Sequence, residues 1–256
     1  MTKTAGPVFG RDTLLALVVL LLAPLTAVVG TAGPAQANPG FQEPVVGECR
    51  ALTMEEYNRW SNNEAPIDCS EPHTSRVIAT GRLPRGVTWE ASDQRLIRIS
   101  ADICVPAWKE TLGSGDRSRA MTAYASAFFI PTAAQRERGA RWIRCDLVLL
   151  AGRALAPLPT DAVPALGTQP HPDRIAACLK GEALLLTTCS RRHAWRASGT
   201  FVMRHETFPT DREFRRAALR RCPSLVSTDA FAWGHPDANG WRLGNHVVVC
   251  YSRTRR

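Results

Sequence analysis

Cys69-Ser-Glu-Pro-His73 and Cys189-Ser-Arg-Arg-His193 are two copies of one C-S-x-x-H segment, and they set the organisation of the chain. One cysteine precedes each copy and two follow it. The eight cysteines therefore form two sets of four in the same order: Cys49, Cys69, Cys104, Cys145 and Cys178, Cys189, Cys222, Cys250. In each set a glycine, Gly139 or Gly244, precedes the last cysteine by six residues. The pattern predicts one small disulfide-stabilised module used twice in tandem.

The N-terminal segment predicts export. Lys3 and Arg11 precede an apolar run over 14–29, and Ala35-Gln36-Ala37 supplies the small residues that a signal peptidase requires. We interpret residues 1–37 as a cleaved signal peptide. The alternative is an uncleaved membrane anchor, although a bilayer span needs about 20 apolar residues. The product is expected in the extracellular space or the cell envelope, where oxidising conditions favour disulfides.

The chain divides into two predicted modules, residues 45–155 and residues 173–252. Residues 156–172 between them contain five prolines, a density that excludes a helix or a central strand and predicts an extended linker. Hydrophobic periodicity predicts these elements: strands over 45–52, 76–83, 123–130, 141–150, 183–189, 197–203 and 242–251, and helices over 92–108 and 211–222. We expect Ser92 to cap the first helix, and Thr210 with Glu213 to form a capping box on the second. The expected fold class is α+β, with each module a short antiparallel sheet packed by one helix.

The cysteines admit two interpretations. The spacing of Cys69 and His73 is compatible with zinc, but the oxidising compartment and the lack of a C-x-x-C motif favour structural disulfides, so no metal is expected. Four cysteines allow three pairings per module. Because the first two flank adjacent strands, and the third ends the helix that packs on the strand of the fourth, we expect neighbours to pair: Cys49–Cys69, Cys104–Cys145, Cys178–Cys189 and Cys222–Cys250.

The repeated histidines, His73 and His193, are interpreted either as titrating groups or as rings that bond the backbone of their own turn. Ser70 lies three residues before His73, but a serine and a histidine alone do not make a triad. We therefore expect no catalytic residue and no cofactor. A hydrolase centred on one of these histidines is the alternative.

Positive charge is concentrated in the second module. Residues 38–170 carry 15 basic and 15 acidic side chains, whereas residues 171–256 carry 15 basic and 7 acidic ones. Five arginines crowd the predicted second helix: Arg212, Arg215, Arg216, Arg220 and Arg221. We interpret them as a candidate anion-binding site for lipid head groups or a wall polymer; the alternative is a solvated face. Nucleic acid is not an expected partner outside the cell.

Several of these segments resemble the septum formation family of actinobacterial envelope proteins. The likeness rests on the cysteine order and on these segments: Val45-Val-Gly-Glu-Cys49, Pro66-Ile-Asp-Cys-Ser-Glu-Pro-His73, Arg138-Gly-Ala-Arg-Trp-Ile-Arg-Cys145, and Trp241-x-x-Gly244 before Cys250. Two positions depart from the family pattern: Arg136 replaces a tryptophan, and Arg191-Arg192 replaces an acidic residue and proline. The resemblance implies a non-catalytic binding or accessory role in the envelope, linked to septum formation or cell division. The partner would be an envelope protein, an anionic lipid or a wall polymer, and a purely structural module docked on an anionic surface is the remaining alternative.

Overall fold

The structure is a computed structural model, and it describes residues 37–113, 115–159 and 166–254. The predicted signal peptide lies outside these residues except for Ala37, so its cleavage stays a prediction. The described residues belong to one compact unit. Among them, no helix has both the length and the apolar character that a membrane span requires.

The first half of the described chain contains a five-stranded antiparallel sheet. Its strands are β1 (Cys49–Arg50), β2 (Ser75–Arg82), β3 (Tyr124–Phe129), β4 (Trp142–Leu150) and β5 (Leu155–Ala156), in the order β1-β2-β4-β3 with β5 beside β4. The helices of this half are α1 (Met54–Tyr57), α2 (Asp93–Leu112), α3 (Asp116–Ala120) and α4 (Ala133–Glu137). Strand β4 lies at the centre of the core, because it pairs on both sides and is buried along its length up to Leu150.

The second half contains another five-stranded antiparallel sheet. Its strands are β6 (Ala177–Lys180), β7 (Leu185–Thr188), β8 (Trp195–Val202), β9 (Phe231–Gly234) and β10 (Val247–Arg253), in the order β7-β6-β8-β10-β9. Helix α5 (Asp211–Arg221) runs into a 3-10 turn (Cys222–Ser224), and α6 (Ala238–Arg242) precedes β10. The α+β fold class with antiparallel sheets is confirmed.

Four disulfides join neighbouring cysteines, as predicted: Cys49–Cys69, Cys104–Cys145, Cys178–Cys189 and Cys222–Cys250. Their Cα–Cα distances run from 5.1 to 5.4 Å, which is usual for a disulfide. In each half, one bond closes the edge of the sheet. The other ties α2 to β4 in the first half, and the C-terminal end of α5 to β10 in the second half. Each bond therefore joins elements that pack together.

The two sheets also carry a β-bulge at the same place. Ile78 of β2 is skipped where that strand passes Cys145, and Ser198 of β8 is skipped where that strand passes Cys250. A bulge bends its strand and redirects the side chains beyond it. Four strands of each half follow the same order, β1-β2-β4-β3 and β6-β8-β10-β9, whereas the fifth differs, since β5 pairs with β4 and β7 pairs with β6. The two halves therefore agree in the order of these four strands, in disulfide positions and in a local irregularity.

Backbone hydrogen bonds join the two halves. The Ala123 N–H donates to the Ile175 carbonyl over 2.8 Å, and the Ala177 N–H donates to the Met121 carbonyl over 2.9 Å. The Met121 side chain packs against apolar residues of the second sheet, namely Leu179, Val249 and Tyr251. The first half therefore supplies part of the cover of the second sheet.

Helix α2 is longer than the sequence predicted. It continues four residues beyond Trp108, and it passes through Pro106, which has no N–H to donate to the preceding turn. Ser92 occupies the N-cap position, but its side chain makes no capping hydrogen bond. The capping box of Thr210 and Glu213 on α5 is confirmed.

Two predicted strands were also wrong in extent. The strand expected over 45–52 covers only Cys49–Arg50, because Gly47 has a φ of 97° and turns the chain just before it. The strand expected over 242–251 begins at Val247 instead, because the chain before it forms α6 and a turn at Gly244. Helices α3, α4 and α6 are five residues long, too short to produce a helical periodicity in the sequence.

Candidate anion-binding surface

Four of the five predicted arginines share one exposed face of α5. A helix turns by about 100° per residue, so these four side chains lie within an arc of about 140°. They are Arg212, Arg215, Arg216 and Arg220, and all are exposed. Within the described residues, no ion pair joins them to a carboxylate. Leu219 lies in the middle of this arc and is 53% exposed. We call these five residues the α5 basic face.

Arg221 points away from that face. Its guanidinium carbon lies 5.5 Å from the centroid of the Phe201 ring, which is the geometry of a cation–π contact. The side chain thereby bridges the end of α5 and strand β8. Arg221 therefore lies outside the face that the other four arginines share.

A basic cavity of about 460 Å³ opens beside the end of α5. Arg220 and Arg221 line one side, and Arg117 of α3, Arg204 and His205 line the rest. Its apolar lining is Phe201, Val202, Met203 and Ala217. No carboxylate is among the described residues that line it, so the cavity concentrates positive potential. The sequence did not predict Arg117, which is distant from α5 along the chain, or Arg204, which lies between β8 and α5 and outside the helical pattern.

The acidic residues of α5 do not offset this charge at its C-terminal end. Glu213 accepts hydrogen bonds of 2.8 Å from both the backbone N–H and the hydroxyl of Thr210. The bond from the backbone N–H, followed by that from the hydroxyl, lowers the pKa of Glu213. Its carboxylate is thus engaged at the helix N-terminus, where negative charge is favourable.

The repeated histidines bond their own turns. Nδ1 of His73 lies 2.9 Å, and Nδ1 of His193 2.7 Å, from the carbonyl oxygen two residues earlier. Because a carbonyl only accepts, Nδ1 carries a proton in both rings. The Ser70 hydroxyl donates to Asp68 over 2.9 Å. Both rings are buried and bond within their own turn, and the Ser70 hydroxyl is engaged with Asp68.

Cys178, Cys189 and His193 place their ligand atoms within 4.8 Å of one another. Both sulfur atoms belong to a disulfide, however, and zinc requires a thiolate. The proximity of these three residues follows from the turn that carries the C-S-x-x-H segment.

A second polar feature lies on the first sheet, and the sequence did not predict it. Arg144 donates through Nε to Asp146 over 2.9 Å and through Nη2 to Asn62 over 3.0 Å. Burial lowers the pKa of Arg144; the Asp146 carboxylate opposes this shift and the charge of Arg50 adds to it. Arg50, Asn62 and Arg144 line a cavity of about 350 Å³. The sequence does contain a signal for this buried ion pair: two charged residues stand at alternate positions of an otherwise apolar strand.

A family model described as "Septum formation" matches residues 88–250, which is more than half of the chain. The chain therefore belongs to the septum formation family. The match is one continuous range that crosses the proline-rich linker, and it does not resolve into two copies. No curated protein and no solved structure matches the chain significantly.

Proposed function

We propose that this protein is an exported component of the cell envelope that acts in septum formation by binding and not by catalysis. The family relates the chain to septum formation. Its four disulfides fit an extracellular or envelope location, because cytosolic thiols are kept reduced. Among the described residues, no acid, base and nucleophile converge around His73 or His193, as a hydrolase would require.

The observation that carries the binding role is the α5 basic face. Basic side chains are attracted to the anionic lipids of a membrane leaflet, and an exposed apolar side chain among them can enter the interface. The face combines these two properties, since Leu219 is surrounded by unpaired arginines. An anionic leaflet is therefore the proposed partner. The basic cavity beside it is suited to a phosphate of a lipid head group.

Cosedimentation of the purified protein with lipid vesicles tests this proposal. The protein should bind vesicles that contain phosphatidylglycerol but not vesicles of phosphatidylcholine alone, and about 0.5 M salt should release it. Each basic residue held near an anionic surface contributes about 1 kcal/mol, so Arg216→Glu with Arg220→Glu should weaken binding more than about tenfold.

The matched control is Arg85→Glu with Arg95→Glu, which makes the same change in charge at two exposed arginines of the first half. Equal losses in both double variants would show that net charge alone drives binding. Binding that resists salt, or that occurs equally on neutral vesicles, would contradict the proposal. Binding to a soluble polyanion but not to anionic vesicles would assign the face to a wall polymer.

We also infer that the two halves arose by tandem duplication of one module. The support is the common order of four strands in each sheet, the matching disulfides, the bulges at Ile78 and Ser198, and the same histidine-to-carbonyl bond. Superposition of the two halves should place Cys69 on Cys189 and Cys145 on Cys250 at once. Halves with different strand orders would contradict the duplication.

A further inference from the structure

The cavity on the first sheet contains donors without acceptors. Arg50 donates through Nε to the Glu64 carbonyl over 3.0 Å and through Nη2 to the Glu48 carboxylate over 2.5 Å, but its Nη1 has no partner among the described residues. Asn62 accepts from Arg144 with Oδ1, and its Nδ2 has no partner there either. The orientation of the Asn62 amide is determined, because a guanidinium can only donate.

Both unpaired donors belong to buried side chains. Arg50 is 4% and Asn62 7% exposed. Burying a donor without an acceptor is unfavourable, and more so when the donor is charged. The two side chains line the same cavity of about 350 Å³, a volume within the range of small-molecule sites. An acceptor bound in this cavity could complete both hydrogen bonds.

The second sheet shows that the fold does not need charge at these positions. Positions in the two sheets can be matched by their distance along the strand from the equivalent cysteine. The first sheet then has Arg50, Arg144 and Asp146 where the second has Leu179, Val249 and Tyr251. The second set packs as an apolar cluster against Met121. A buried ion pair is weak evidence of stabilisation, since apolar replacements are often neutral or better. The charged set of the first sheet therefore calls for a role other than building the sheet.

The exposed side of the cavity is acidic. Glu64 lines the cavity and is exposed. The hydrogen bond that the Glu64 carboxyl donates to the Glu56 carboxylate, followed by the charge of Glu56, raises the pKa of Glu64. Arg59, the base that acts on both acids, is itself ion-paired with Glu55. The cavity thus has unfilled donors in its buried part and uncompensated carboxyl groups at its opening.

We propose that this cavity binds a small zwitterion of the amino-acid or short-peptide class. The carboxylate of the ligand accepts from Arg50 Nη1 and Asn62 Nδ2, and its ammonium group lies beside Glu64. Guanidinium and amide donors suit a planar carboxylate, and the ammonium group offsets the carboxyl pair at the opening. This site is independent of the α5 basic face.

Titration calorimetry of the purified protein with three ligands tests the polarity of the site. Glycylalanine carries both charged ends, N-acetyl-glycylalanine lacks the ammonium group, and glycylalaninamide lacks the carboxylate. Glycylalanine should bind, and each of the other two should bind at least about tenfold more weakly. Free alanine, as a fourth ligand, distinguishes an amino acid from a peptide end.

Asn62→Asp tests the donor without removing the acceptor that Arg144 uses. It replaces Nδ2 with an oxygen, so the variant should melt at or above the temperature of the wild type yet lose at least about tenfold in affinity for glycylalanine. The control is Asn58→Asp, which adds the same charge at an exposed position that does not line the cavity. Glu64→Gln should weaken glycylalanine but leave the N-acetylated ligand unchanged.

Two results would overturn the proposal. If none of the ligands binds at up to about 10 mM, water satisfies the two donors and the cavity is not a site for zwitterions. If all ligands bind equally, or if Asn58→Asp has the same effect as Asn62→Asp, the recognition does not depend on these donors.

Discussion

Arg144 and Asp146 lie two positions apart on β4 and form an ion pair of 2.9 Å whose side chains are 2% and 0% exposed. Ser75 donates a further hydrogen bond to Asp146, and the Arg144 guanidinium carbon lies 4.4 Å from the centroid of the Phe129 ring. Taking two charges out of water costs about as much as their attraction returns. The pair thus constrains which side chains surround it more than it stabilises the sheet.

The first prediction concerns this pair. Asp146→Asn leaves the Arg144 charge buried without a counter-ion and should lower the free energy of unfolding by about 3–5 kcal/mol. Replacing both by leucine should cost much less, as the apolar residues of the second sheet indicate. Urea unfolding followed by tryptophan fluorescence measures both. Glu55→Gln, which breaks the exposed pair with Arg59, should cost about 0.5 kcal/mol or less. A double variant as unstable as the single one would contradict this account.

The second prediction ranks two disulfides. Cys104 and Cys145 are 41 residues apart, whereas Cys178 and Cys189 are 11 apart. Closing a longer loop removes more entropy from the unfolded chain, so replacing the first pair by alanine should cost about 4 kcal/mol and the second about 3 kcal/mol. Urea unfolding of the two double variants gives the order. A larger loss from the Cys178–Cys189 pair would show that loop length does not govern these contributions.

The third prediction separates the two glycines of the repeat. Gly139 and Gly244 both have positive φ, 93° and 84°. A Cβ at Gly139 would lie 2.6 Å from the Asn38 backbone nitrogen, whereas a Cβ at Gly244 would meet nothing within 4 Å. Gly139→Ala should therefore lower the melting temperature more than Gly244→Ala, and it should make the chain near Asn38 more sensitive to proteolysis. Equal effects would mean that backbone strain alone matters at both positions.

The fourth prediction is a pH dependence at the start of α5. The pKa of Glu213 is lower in the folded protein than in the unfolded chain, because the ionised form accepts the Thr210 bonds. Its contribution to stability is present above the unfolded pKa of about 4.3 and is lost as the pH falls through the lower folded value. Glu213→Gln should therefore be less stable than the wild type at pH 7, and the difference should shrink at about pH 3. Urea midpoints at both pH values decide this, and a difference independent of pH would contradict it.

Local sequence was sufficient where one short segment contains all the interacting groups. The Thr210–Glu213 capping box spans four residues, and the bond from each repeated histidine reaches back only two. The disulfide pairing also followed, because four cysteines in each half allow few pairings and neighbours lie on adjacent elements. Strand ends were less predictable, since a positive φ at Gly47 ends the pattern without changing the hydrophobicity.

The sequence by itself determined the α+β class, the four disulfides and the basic character of α5, because these depend on periodicity, cysteine order and composition. Only the tertiary structure decided which distant polar groups meet. Strand register brings Arg50 and Arg144 to one cavity with Asn62, and the packing of α3 brings Arg117 to the end of α5. Such meetings depend on how strands align and helices pack over long sequence separations. A local pattern assigns a residue to one face of its strand, but it does not determine which distant residue lies beside it.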